Sequence, residues 1–339
     1  MNAMTQTGAL CALAMLTLSA CGGGSSEAEE HLPLPPAGWT QVSAEAPWGT
    51  RDAGATLVHR GEMWMLGGWS YVDDTASVLN DAWASSDGVS WRQVQPPWAF
   101  GMYPMAASFR GQMLYMGGMQ HSRLANEALT NEIWTSSDGQ NWTLRVPAAQ
   151  WEPRIGGALV EHENRLWILG GKVRNSGDPA VFRNDVWRSD NGLQWTRVLD
   201  RAPWPARAFH CALSHGGRIW LIGGGDWDSL IARSDVWSSA DGVSWAQHAD
   251  APWEGRIWHA CFSYADRLFV FGGRLFDPIR TVDEIWSTTD GEQWARSTDT
   301  VRPGPRHAAY LAQFDNRVWV MGGSAAGFLQ PDVWQFYLP

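Results

Sequence analysis

The 339-residue chain lacks what a nucleic-acid or membrane-surface binder needs. Its formal charge is −10, with 25 Lys and Arg against 35 Asp and Glu, so it offers phosphate no net positive field. No nucleic-acid partner is expected. Long apolar runs are missing too: Ala9 to Leu18 is too short for a relaxed transmembrane helix, and no other segment reaches membrane-spanning length. Leu-rich helical runs are scarce. Also absent are His/Cys clusters at zinc spacing, Gly-x-Ser-x-Gly, His-Glu-x-x-His and a phosphate loop. No metal or cofactor is therefore expected. What the chain does have is 24 Trp and 36 Gly, the profile of an all-β protein with many turns.

Met1 to Ala20 carries no charged residue and reads as a signal peptide over residues 1–20. Its end, Leu18-Ser19-Ala20-Cys21, resembles the lipobox of bacterial lipoproteins. That resemblance implies lipidation of Cys21, export, and a lipid anchor in the bacterial cell envelope as the only membrane contact. Residues 21–37, with Gly22-Gly23-Gly24-Ser25-Ser26 and three Glu, read as a flexible acidic tether. A cleaved signal without lipid is the alternative.

Six Gly-Gly pairs recur at Gly67, Gly117, Gly170, Gly223, Gly272 and Gly322, at intervals of 50, 53, 53, 49 and 50 residues. An apolar strand precedes each pair, such as Arg218-Ile219-Trp220-Leu221-Ile222. After a variable loop come an acid, an aliphatic or Ala residue and a Trp: Asp81-Ala82-Trp83, Glu132-Ile133-Trp134, Asp185-Val186-Trp187, Asp235-Val236-Trp237, Glu284-Ile285-Trp286 and Asp332-Val333-Trp334. Five units add Asp-Gly or Asn-Gly turns and a second Trp, as in Ser85-Ser86-Asp87-Gly88-Val89-Ser90-Trp91. Four antiparallel strands per unit make a propeller blade. The sixth unit stops after its third strand, and Gly38-Trp39-Thr40-Gln41-Val42 matches the missing fourth. The expectation is an all-β, six-bladed β-propeller over residues 38–339, with blades at about 48–97, 98–150, 151–203, 204–252, 253–302 and 303–339 plus 38–47. Closing the last blade with the N-terminal strand removes the exposed edge, consistent with a monomer.

The Gly-Gly and paired-aromatic pattern resembles the kelch repeat and covers nearly all of residues 38–339. Ser-x-Asp-Gly-x-x-Trp is also close to the Asp-box of sialidase-like propellers, where that box is a structural turn; the Gly-Gly pairs favour kelch. Kelch likeness implies a binding or interaction module, here for a carbohydrate or protein ligand. The alternative is a sugar-active enzyme similar to the periplasmic kelch propellers that act as sialic-acid mutarotases.

Superposing the repeats gives rings of equivalent positions. Sixteen residues before each first Gly lie Arg51, Gly101, Arg154, Arg207, Arg256 and Arg306. These arginines suggest an anion-binding channel mouth, or else one structural Arg–carboxylate pair per blade. Pairing leaves Glu132 of blade two without its Arg, which makes it a weak catalytic candidate. Thirteen residues before the Gly, His210 and His259 join Tyr103, Trp258 and His307 nearby as stacking and hydrogen-bonding groups suited to sugar. Eight residues before it, His59, Phe109, His162, His215, Tyr264 and Phe314 read as packing. So do Trp48, Trp98, Trp151, Trp204 and Trp253, as wedges between blades. Cys211 and Cys261 lie in neighbouring blades, one residue out of phase. Blade faces about 10 Å apart disfavour a disulfide except near the axis, and the pairing stays open.

Overall fold

In the computed structural model the chain is described over residues 37–72, 75–98, 101–121, 127–173, 181–325 and 327–339. The segment expected to be a signal peptide, and Cys21, lie outside the described residues. Six four-stranded antiparallel sheets form the blades of a β-propeller. Blade one runs Ala55–His59, Glu62–Val72, Thr75–Ser85, Arg92–Val94 from the inside outward. Blades two to five repeat that order, with innermost strands Met105–Phe109, Ala158–His162, Cys211–His215 and Ala260–Tyr264. Blade six comprises Tyr310–Phe314, Arg317–Met321 and Val333–Tyr337, and its outermost strand is Gly38–Ser43. Trp39 pairs with Phe336 and Gly38 with Tyr337 across that closure.

The cores lie between blades. Trp98 and Trp142 of blade two pack with Leu57, Trp64 and Leu66 of blade one, and Trp151 and Trp195 of blade three with Met105, Leu114 and Ile133 of blade two. The wedge tryptophans Trp48, Trp98, Trp204 and Trp253 meet Trp91, Trp142, Trp245 and Trp294 edge to face. Their indole N–H groups have no hydrogen-bond partner among the described residues. Such an orphan costs about 1–3 kcal/mol, whereas removing some 200 Å² of indole from water gains on the order of 5 kcal/mol, so packing wins.

The Asp-box turns join the same cores. In the first, Ser85 Oγ accepts the N–H groups of Asp87 and Gly88, and Asp87 Oδ1 accepts those of Val89 and Ser90. These bonds to the carboxylate hold Asp241 and Asp290, its copies, down at about 2. Gly88 has φ +73°, and a Cβ there would meet the Trp319 ring of blade six at 2.1 Å. The box is a structural turn here. His59, His162 and His215 each hydrogen-bond a Ser hydroxyl of the next blade, at 2.8, 2.8 and 2.7 Å, and Tyr264 donates to Asn316 O of blade six. Four of the six positions of that ring thus tie neighbouring blades together.

Cys211 and Cys261 form a disulfide between the innermost strands of blades four and five, with a Cα separation of 6.0 Å. The strands converge toward the axis, so the general spacing between sheets does not apply.

Candidate functional site

The loop entering each innermost strand pairs with the start of the loop after Gly-Gly. Six isolated bridges, Asp52 with Trp69, Met102 with Met119, Ile155 with Lys172, Ala208 with Gly225, Ile257 with Arg274 and His307 with Ser324, put both loops on one face. The Arg positions lie one residue earlier, and their side chains turn into the blades. Arg154 and Arg306 make bidentate bonds to Asp185 and Asp332 at 2.8–3.0 Å, Arg207 to Asp235 at 2.6 Å, and Arg51 to Asp81 at 2.8 and 2.9 Å. Arg256 reaches Glu284 at 2.7 Å. The five arginines are 0–3 % exposed, and the guanidiniums of blades three to six also donate to the carbonyl of the first Gly of their pair. Each acid further accepts the indole N–H of the Trp two residues on. These groups have their hydrogen bonds filled within the blade and turn no donor toward the channel.

Blade two solves its missing Arg differently. A Cβ on Gly101 would lie 1.7 Å from Tyr115 Oη, so the phenol occupies the volume where the arginine would run. Tyr115 stacks on Trp98 at 4.1 Å. Glu132 keeps its Trp bond, from Trp134 Nε1 at 3.0 Å, and burial together with the Glu132 charge pushes the Tyr115 hydroxyl well above its usual range. The aliphatic position of the other second strands has become Tyr where Arg has become Gly.

His210 and His259 wedge between blades. Their imidazole Cε1 atoms lie 3.4 and 3.0 Å from where a Cβ would sit on Gly170 and Gly223 of the preceding blade, and His259 Nε2 bonds Ile222 O at 3.2 Å. Burial lowers both to about 3, so they are neutral at physiological pH. Both still line a cavity of about 220 Å³ on the channel, together with Tyr103, Phe209 and Trp258.

The remaining ring, fourteen residues before each first Gly, has the most unusual backbone. Ala53, Tyr103, Gly156, Phe209, Trp258 and Ala308 all have positive φ, from 52 to 63°. Their amides form a belt around the channel: Ala53 N donates to Ala308 O, Ala308 to Trp258, Trp258 to Phe209, Phe209 to Gly156, and Tyr103 to Ala53. The left-handed conformation costs about 1–2 kcal/mol for a residue with a side chain, and it is hardest to accommodate for bulky ones. Three of the six are nevertheless aromatic, and their rings meet. Tyr103 and Trp258 stack at 6.1 Å and 4°, with Phe209 5.1 Å from each.

Charged groups border this aromatic floor. Trp258 stacks on His307 at 5.3 Å and lies 4.9 Å from Trp227, whose ring carries the Arg274 guanidinium 5.2 Å from its centre. Arg274 has no carboxylate partner among the described residues, and its Nε is buried without a hydrogen bond. Burial lowers His307 to about 4, with Arg274 adding to the effect, and Thr281 Oγ1 lies 3.1 Å from its Nδ1. Asp52 is 7 % exposed, its carboxylate takes no hydrogen bond from any described group, and burial raises it to about 7. Tyr103, pushed far above its usual range by burial, feels both the Asp52 and the Arg274 charges.

Of the residues singled out in the sequence, Tyr103, Trp258 and His307 come together at this mouth. His210 and His259 line the cavity, and the arginines and Glu132 sit within the blades. Asp52, Phe209, Trp227 and Arg274 escape a search by residue type, because their positions repeat no single residue type from blade to blade: Asp52 is matched by Met102, Ile155, Ala208, Ile257 and His307, and Arg274 by Trp69, Met119, Lys172, Gly225 and Ser324. The Ala-Tyr-Gly-Phe-Trp-Ala series fourteen residues before each Gly was the available signal.

No protein-family model and no curated protein matches the chain. Among solved structures, one titled "Structure of YjhT" aligns with a TM-score of 0.69 at 14 % identity, covering 85 % of this chain and 95 % of that one. At that identity the likeness is one of fold alone.

Proposed function

We propose that the propeller is a binding module that holds a small anionic carbohydrate at the channel mouth. The observation that carries this reading is Arg274, a cation without a carboxylate partner, laid over Trp227 beside the stacked Trp258 and Tyr103. A sugar presents its C–H face to such rings and its carboxylate to the guanidinium fork. The exposed tips Trp227, Leu230, Ile231, Ile279 and Phe328 favour a second reading, a protein ligand seated on the same face. Kelch kinship and anchoring through a lipid on Cys21 complete the proposal and place the module in the cell envelope. Loss of radiolabelled palmitate from Cys21→Ala tests the anchor.

Titration calorimetry with N-acetylmuramic acid and its neutral counterpart N-acetylglucosamine tests the site. The acid binds, the neutral sugar binds at least tenfold more weakly, and Arg274→Ala removes the difference. Equal binding of both sugars by the wild type overturns the anion assignment.

A further inference from the structure

Away from the channel, blade four carries an open cleft of about 470 Å³. Its walls are the loop entering the blade, with Pro203 and Pro205, the third strand Ile231–Ser239, with Arg233, and the short fourth strand Ala246–Gln247. None of the residues lining it lines the channel cavity. Arg233 is half-buried, its Nε is buried without a hydrogen bond, and it forms no ion pair among the described residues. The neighbouring Asp235 carboxylate is already taken, by both Nη atoms of Arg207 and by the Trp237 indole.

Blade three shows what an arginine at this position takes when it has a partner. Arg183 precedes Asp185 by two residues, as Arg233 precedes Asp235, and it grips Glu152 with two bonds, Nε to Oε2 at 2.7 Å and Nη2 to Oε1 at 2.8 Å. Glu152 stands two residues before Arg154, and the residue two before Arg207 is Pro205, which lines the cleft. Blade four therefore keeps the cation and has lost its acid. Glu254, at the matching position of blade five, bonds Arg280 instead. The other four blades carry Leu79, Thr130, Val282 and Gln330 where Arg233 stands, so the repeat does not require a cation there. Burial and the Arg207 charge pull the Arg233 guanidinium below its usual range, whereas the bonds to Glu152 hold Arg183 above it.

A guanidinium fork with open space where its carboxylate would sit can take one from outside the chain. We propose that the cleft is a second binding site, for a small monocarboxylate whose carboxylate occupies on Arg233 the place that Glu152 holds on Arg183. Pro203 and Pro205 offer its body an apolar wall, and Gln247 offers a hydrogen-bonding amide. Asp235 and Asp250 also line the cleft, so a ligand with a second negative charge meets repulsion. The site goes beyond the carbohydrate reading of the channel mouth and does not depend on it.

Nitrogen-15 NMR of the arginine side chains reads the site directly, with butyrate as the probe and the Nε–H signals of Arg233 and Arg183 as reporters. At constant ionic strength the Arg233 signal should move and saturate with a Kd of about 10 mM or tighter. The Arg183 signal, held by Glu152, should stay where it is, and sulfate should act on Arg233 at least tenfold more weakly than butyrate. Pro205→Glu, with folding checked by thermal melting, copies blade three and should abolish the response; Arg274→Ala should leave it unchanged. An Arg233 signal that butyrate does not move in the wild type overturns the site, whether or not the variant folds. A signal that answers sulfate as strongly as butyrate overturns the monocarboxylate assignment.

Discussion

The Arg ring and the belt ring lie sixteen and fourteen residues before the same glycines, yet they behave in opposite ways. The first is nearly invariant along the chain, and where blade two breaks it, Tyr115 fills the gap. The second keeps one backbone conformation in all six blades and changes its side chain almost every time. Repetition marks what each blade needs to hold itself together. Variation on an identical backbone marks what the ring presents to something else.

The largest expected effect would come from the repeated ring. Arg207→Ala removes a fully buried guanidinium and leaves the partly buried Asp235 carboxylate unpaired, and should cost about 3–5 kcal/mol in urea denaturation. The paired change Arg207→Met with Asp235→Leu should recover much of that loss, and a double variant as unstable as the single one would break the pairing account.

Asp52 should act almost as strongly, but through pH. Its folded-state value, about 7, stands above the ordinary 3.8, so the folded form keeps the proton longer than the unfolded chain does. Its contribution to stability is fully present below about pH 4 and is lost as pH rises through 7, a swing on the order of 4 kcal/mol. Asp52→Asn should flatten that part of the stability–pH curve, read from denaturation midpoints between pH 4 and 8. An unchanged slope would show that the mouth does not strain this carboxylate.

Blade two sharpens the contrast with a smaller effect. Gly101→Arg alone drives the new side chain into Tyr115 and should destabilise by about 1–3 kcal/mol, while Gly101→Arg with Tyr115→Val rebuilds the common pair to Glu132 and should restore thermal stability. Smallest of all, Ala308→Gly relieves one left-handed residue of the belt and should shift stability by less than about 1 kcal/mol, with binding unaltered. A belt variant that matters more than an Arg variant would invert the comparison.

The fold was legible because the Gly-Gly pairs, acid-x-Trp triplets and Asp-Gly turns are residue types fixed by local geometry. Blade closure was legible for the same reason, since Gly38 to Val42 copies a strand missing elsewhere. The Arg–acid pairing followed from an Arg at the innermost-strand entrance of five blades and an acid at the start of every third strand, on the same face, although the separation varies from 26 to 31 residues. The disulfide stayed open because sequence gives the phase of Cys211 and Cys261 but not how closely innermost strands converge. Tyr115 as a stand-in for arginine was hidden, for it required knowing that two positions fourteen residues apart share one volume. The belt was hidden more deeply: positive φ is a property of the hydrogen-bonded ring, and Ala, Tyr, Phe and Trp carry no mark of it.

The pairing of Gly38–Ser43 with Val333–Tyr337 also fixes an order of events in folding. Five blades use strands close in sequence and can assemble as they emerge, but the sixth joins segments from opposite ends of the chain, the slowest kind of contact to make. The first strand must wait, unpaired and prone to mispairing, until the last seven residues are available. A chain truncated before Val333 would lose more than a strand. It would leave two separate edges open, and the propeller would arrive at its final step without the piece that completes it.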